Sequence, residues 1–174
     1  MLDNKVLGVK LKIMYVNYNE LPNDSRIWVY QSDRELTAEE VLHISKKAEE
    51  FINNWTRHGD DLKGSYIVKY SYFLVLCVDE SFNNVSGCSI DASVRFIKEL
   101  ESELQIDLVD KMNISFKDGE HINVVKLSEF QDYVKKQKIT GKTTVFNNMV
   151  NTKNDFENQW EVAANESWHK RFLV

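Results

Sequence analysis

Cys88 is the residue best placed to do chemistry in this chain. It lies in Ser86-Gly87-Cys88-Ser89-Ile90-Asp91, after the apolar run Phe73 to Val78 and before apolar residues at helical spacing. A strand, a loop and a helix in that order put the thiol at a helix N-terminus. Free backbone N–H groups and the positive end of the helix dipole there favour a thiolate. The same geometry suits a phosphate or carboxylate, held by the Gly87 and Cys88 amides and the Ser86 and Ser89 hydroxyls. Asp91 opposes this. With Ser89 as the cap it falls in the first turn, satisfies the dipole itself and repels an anion. The plainer reading is a capped helix with Cys88 as a small buried hydrophobe.

As a nucleophile Cys88 needs a base, and His58 and His169 are the candidates. The spacing from Cys88 to Arg95 is one residue too long for a phosphatase loop, and no G-x-C-x-G elbow is present. The histidines stand at 43, 58, 121 and 169 with no short-spaced pair, so neither a metal site nor a cofactor is expected. Read plainly, His58 faces a helix C-terminus and Trp168-His169 belongs to a packed tail. Asp79-Glu80 is either a metal-holding pair or, more commonly, a solvated strand end. Trp55 and Trp168 are expected to flank the ligand site. Cys77, inside the apolar run, is core.

The elements that must position these residues follow from pattern. Thr37 with Glu40 forms a capping box, and Val41, Ile44, Ala48, Phe51, Ile52 and Trp55 recur at a period of 3.6, with Gly59 as the stop. Arg26 to Gln31 reads as a strand. Ser65 to Val78 reads as an outer strand, a turn near Ser71 and a central strand buried on both faces. The second helix presents Ile90, Val94, Ile97, Leu100 and Leu104 on one face. Around Lys117-Asp118-Gly119 a hairpin with a three-residue loop pairs Ile114 with Ile122 and Met112 with Val124, keeping the apolar residues on one face. Ser128 and Gln131 form a second capping box, and Thr143 to Asn147 reads as a strand. The tail, with Phe156, Trp160, Trp168 and Phe172, holds a helix and a packed segment. The sum is a single α+β domain over residues 14–174, with an antiparallel or mixed sheet of about five to six strands and three to four helices mainly on one face. Residues 1–13 read as a flexible arm or an overlong start.

The chain has 174 residues, a formal net charge of −5, 43% hydrophobic residues and two cysteines. That supports a real core and argues against nucleic acid as a partner, because no lysine or arginine cluster exceeds a pair. The longest apolar run is far short of a membrane span. The cysteines make no disulfide framework, which points to the cytoplasm.

The segment VSGCSIDASVRFI resembles a family of small bacterial proteins that often carry the label "ABC transporter ATPase". The resemblance extends to YVNYNELPNDSRIWVYQSDR, Trp55 to Gly59, Asp110 to Asn113, Phe146 to Asn148 and Glu166 to His169, so it covers nearly everything from Met14 onward. The family brings no established catalytic residues with it. The label implies nucleotide hydrolysis, and the residues argue against that. A phosphate loop needs G-x-x-x-x-G-K-[ST] between a strand and a helix. Gly141-Lys142-Thr143 supplies the last three letters, but Lys136 stands at the first glycine's place and the flanking elements come in reverse order.

Three functions stand open. The first is a small-ligand, anion or partner-binding module with its site at Ser86 to Asp91. The second is a thiol enzyme using Cys88 with a histidine base. The third is a structural subunit whose aromatic C-terminal segment docks a protein partner or a second copy of the chain.

Overall fold

The computed structural model describes residues 14–57, 60–81 and 86–173. The segment 1–13, the loop Phe82 to Val85, and His58 with the expected helix stop Gly59 lie outside the described residues.

In chain order, β1 (Arg26–Gln31) leads to α1 (Ala38–Asn54), and a two-rung ribbon follows, β2 (Thr56–Arg57) with β3 (Asp60–Asp61). Then come β4 (Gly64–Lys69), β5 (Phe73–Val78) and α2 (Gly87–Leu104). A hairpin follows, β6 (Asn113–Asp118) with β7 (His121–Lys126), and then α3 (Leu127–Lys135) and β8 (Thr144–Phe146). The chain closes with α4 (Lys153–Gln159), β9 (Glu161–Ala163) and two short 3-10 turns. The fold is α+β in one domain, with its strands divided between two antiparallel sheets, β1-β5-β4 and β7-β6-β8-β9.

Alternation along β5 fixes the layering. Leu74 and Leu76 point to one side, where Ile44 and Ala48 of α1 and Ile97 and Leu100 of α2 cover them. Phe73, Val75 and Cys77 point to the other side and meet Phe146, Phe156 and Trp160. β8 repeats the alternation. Phe146 faces the first sheet, while Val145 joins Ile114 and Phe116 under Phe130 and Val134 of α3. The order of layers is therefore two helices, sheet, sheet, helix, so helices lie outside both sheets.

Several expectations need correcting. The hairpin uses a two-residue loop, Gly119-Glu120, which pairs Ile114 with Val125 and Phe116 with Asn123. Gly119 takes φ +61 at the first loop position, where a two-residue hairpin turn wants glycine. α3 begins at Leu127 with no side-chain cap, so the Ser128 and Gln131 box is not formed. The inward face of α2 carries Ser89, Ser93 and Phe96, while Val94 is 40% exposed. The tail supplies an additional strand, β9.

Candidate functional site

The start of α2 differs from its sequence reading. Ser86, not Ser89, is the cap: its side chain accepts from the Ser89 amide, and its own Oγ lies 3.0 Å from Ser89 Oγ. Gly87 and Cys88 are then the first helical residues. Asp91 falls in the second turn, exposed, so it does not satisfy the dipole as expected. Ser89 is buried and its carbonyl accepts from the Trp55 indole at 2.9 Å. Trp55 is a core residue, 1% exposed and packed on Phe51 and Trp28, not a wall of a site. Cys88 is exposed, which overturns its reading as a buried hydrophobe. Cys77 is buried, and burial pushes its thiol up to about 12.

His169, one of the two candidate bases, does not accompany Cys88. His169 belongs to the second sheet's layer, where it is 1% exposed, packs on Phe130 and stacks on Trp168. α2 lies on the far side of the first sheet. Ser167 Oγ sits 2.6 Å from His169 Nδ1, and burial holds the imidazole down to about 4, so it is neutral at neutral pH. Asp79 is buried, and its carboxylate accepts from Ser81 N–H and Oγ–H. Glu80 faces Arg26 at 3.6 Å. Among the described residues no cluster of metal-ligating side chains occurs.

The Gly141-Lys142-Thr143 turn lies between α3 and β8, in the order helix, turn, strand. Two of its three amides are already engaged. Lys142 N–H donates to Thr140 Oγ1, and Thr143 N–H donates to the Thr140 carbonyl. These are the groups a phosphate cradle would use. The open polar cleft beside this turn, about 690 Å³, is lined by Lys117, Lys138 and Lys142. Lys117 is ion-paired with Glu161, and Lys138 lies over the Tyr133 ring.

A second cleft gathers unused hydrogen-bonding capacity. It occupies about 480 Å³ between β1, the Leu108 to Ser115 segment, the Phe146 to Asn151 segment and Trp168-His169. β1 is an edge strand. Its first residues are closed by the chain before α4: Ile27 N–H donates to Asn151 O at 3.0 Å, and Lys153 N–H to Ser25 O at 2.8 Å. That pairing fixes which way each residue of β1 points. Ser32 N–H reaches Tyr72 O, so Tyr30 and Trp28 bond to β5 while Val29 turns its N–H and C=O the other way, into the cleft. Among the described residues nothing meets them.

Polar side chains close the ends of this gap. Gln31 Nε2 donates to Asn113 O at 3.3 Å, and Gln31 Oε1 accepts from Ser115 Oγ at 2.6 Å and Asn148 Nδ2 at 2.9 Å. Asn148 Oδ1 in turn accepts from Trp160 Nε1. Asn113 and Ser115 share one face of β6, the face turned toward the first sheet. Asn113 is 8% exposed, yet its Nδ2 has no hydrogen-bond partner among the described residues. The buried Nε1 of Trp168 has none either. Such a group costs roughly 1–3 kcal/mol, so two in one cavity wall are a departure that asks for a reason.

No family model, curated protein or solved structure matches the chain.

Of the residues singled out in the sequence, the structure brings Trp168 and His169 into this cleft; Ser86, Gly87, Cys88, Ser89, Asp91 and Trp55 lie elsewhere. His58 is outside the described residues. Sequence reasoning missed Val29, Gln31, Asn113 and Asn148. The available signal was a polar residue inside an apolar strand pattern: Gln31 ending RIWVYQ, and Asn113 with Ser115 alternating through MNISF.

Proposed function

We propose that this protein is a small-ligand-binding module whose site is the cleft between β1 and the second sheet. The reading of an anion site at Ser86 to Asp91 gives way to it, because the Ser86 hydroxyl is spent on capping and Ser89 is buried. The observation that carries the proposal is the pair of buried donors, Asn113 Nδ2 and Trp168 Nε1, left without acceptors in one concave wall. A native core leaves few such groups; Tyr18, Ser25 and Ser65 carry others outside the lining, and these two belong to residues of one concave wall. The size of the cleft falls in the range of small-molecule sites. Three segments behind the family resemblance, Asp110 to Asn113, Phe146 to Asn148 and Trp168-His169, contribute to its lining.

The reading treats the protein as a binder; His169, one of the two candidate bases for Cys88, lies in a different layer from it. Two free thiols, one in the core and one on the surface, support a reducing compartment such as the cytoplasm. Among the described residues no helix is long and apolar enough to cross a membrane.

The test is a chemically broad fragment panel screened against isotope-labelled protein by nitrogen–proton correlation spectra, with Asn113→Leu as control. Hits are expected to move the Trp168 indole, Asn113 side-chain and Val29 amide signals together. The control should remain folded, at equal or up to about 1 kcal/mol greater stability, because it removes an unsatisfied buried donor. It should lose those hits. A panel that never perturbs these three signals, or a control destabilised by about 2 kcal/mol or more, would make Asn113 a structural residue and sink the reading.

A further inference from the structure

We infer that the cleft takes an uncharged acyl amide bearing an apolar group, with the amide unit lying along the open edge of β1 at Val29. This rests on the cleft being a ligand site and goes further by naming the chemistry of the occupant.

Three observations converge on that class. First, two of the lining residues carry unspent neutral N–H donors, Asn113 Nδ2 and Trp168 Nε1, both closed to solvent, so a ligand that draws them out must bring acceptor oxygen. Second, among the described residues of the lining no buried cation waits for a negative charge. Arg26 is partly exposed, faces Glu80 and lies over the Trp28 ring. Asp110 is ion-paired with Lys126 at 2.6 Å, and Lys111 is exposed at the rim. His169, the titratable group inside the wall, is held neutral by burial. An ionised carboxylate would therefore lose its water against neutral donors alone, whereas a carbonyl oxygen makes the same hydrogen bonds without that cost.

Third, Val29 offers one donor and one acceptor side by side on a strand edge. The complement of that pair is an amide that returns one acceptor and one donor, as a neighbouring antiparallel strand does. Much of the remaining lining is apolar, with Leu108, Phe146 and Val150 prominent, and takes an aliphatic or aromatic substituent.

An acyl amide of this kind comes either from a segment of a hydrophobic peptide or from a free N-acylated small molecule. Titrations of the full chain with three probes separate the possibilities: N-acetyl-leucine N-methylamide, N-acetyl-leucine as its carboxylate, and a doubly blocked leucine tripeptide. The signals followed are the Val29 amide, the Asn113 side-chain amide and the Trp168 indole.

The neutral single amide should shift all three saturably and bind at least tenfold more tightly than the carboxylate. Trp168→Phe, which keeps an aromatic ring but lacks the indole N–H, should weaken the amide about tenfold while remaining folded. A tripeptide that binds more tightly than the single amide identifies the source as a peptide segment, and equal binding identifies a free small molecule. A carboxylate that matches or beats the amide at these signals overturns the inference and leaves the cleft a ligand site. If none of the three probes moves them, the inference also fails, and the fragment panel then decides separately whether the cleft binds anything.

Discussion

At the scale of residues, His169 is a titratable group taken almost wholly out of water. It is 1% exposed, its ring lies between Phe130 and Trp168, and burial brings it down to about 4. The unfolded chain titrates this group near its ordinary value of 6.5. Between those two pH values the unfolded state therefore holds the extra proton, and stability rises with pH across the window. Folding should be weaker at pH 4.5 than at pH 7 by about 2 kcal/mol from this residue alone, with no contribution to the slope above pH 7. Urea unfolding of the parent and of His169→Gln at both pH values checks it. The variant should lose most of that difference, and an unchanged difference would assign it to other groups. Asn113 and Trp168 tell a related story at the same scale: neither residue type announces an orphaned donor. Only the fold, by turning β6 so that Asn113 shares a face with Ser115, shows what each has failed to find.

At the scale of elements, local chemistry decides some outcomes and neighbours decide others. α1 realises its capping box in both directions, with Thr37 Oγ1 accepting from Glu40 N–H and the Glu40 carboxylate accepting from Thr37 N–H. Arg34, donating to the same carboxylate, joins those bonds in holding Glu40 down to about 2. Thr37→Ala should cost about 1 kcal/mol. α2 ends instead on Gln105, in the left-handed region at φ +52 and ψ +47. Gln105→Gly should stabilise by roughly 0.5 kcal/mol, since glycine takes that conformation without a Cβ penalty. Urea midpoints of the two variants should move in opposite directions with unchanged slope; shifts of the same sign would refute the capping argument.

α1 was legible because Thr37, Glu40 and the 3.6 period all lie within one helix, and β5 because a run buried on both faces looks the same whatever covers it. The hairpin register was not. Maximising apolar pairs assumed one buried face, but β6 is interior: Ile114 and Phe116 face α3, while the buried Asn113 and Ser115 face the first sheet. β7 is an edge strand and only half-buried, so its valines exert little pull on the register. The face of α2 was misjudged for a similar reason. Ser93 turns inward because its hydroxyl meets Ile90 O and the Tyr30 phenol, a bond to β1 that no helical periodicity contains. The cleft was least legible of all, because its groups come from four separate stretches of chain and become neighbours only when the two sheets stack.

At the scale of the whole molecule, the question is what makes two sheets one cooperative unit. The first sheet has a nearly self-sufficient core with α1 and α2, and the second has its own with α3. Between them lies a cluster in which Trp160 touches every party. Its ring packs edge-on to Phe73 at 4.9 Å, against Phe146 at 4.9 Å, and stacked on Phe156 at 4.5 Å and Tyr70 at 6.1 Å. Its indole N–H donates to Asn148, which bonds Gln31 of β1. One side chain thus joins β5, β8, α4 and the polar wall of the cleft. Trp160→Ala should cost about 3–5 kcal/mol, the scale for deleting a buried ring. The larger consequence is for cooperativity. With the junction hollowed, the two half-cores should unfold at different urea concentrations, so that far-ultraviolet circular dichroism and the remaining tryptophan fluorescence no longer give the same midpoint. Trp160→Phe keeps most of the ring contacts and should preserve coincident transitions while losing the Asn148 bond. If the alanine variant is destabilised by the expected amount but its two probes still coincide, the sheets are coupled through some other contact. The Gln31, Ser115 and Asn148 network would be the next to cut.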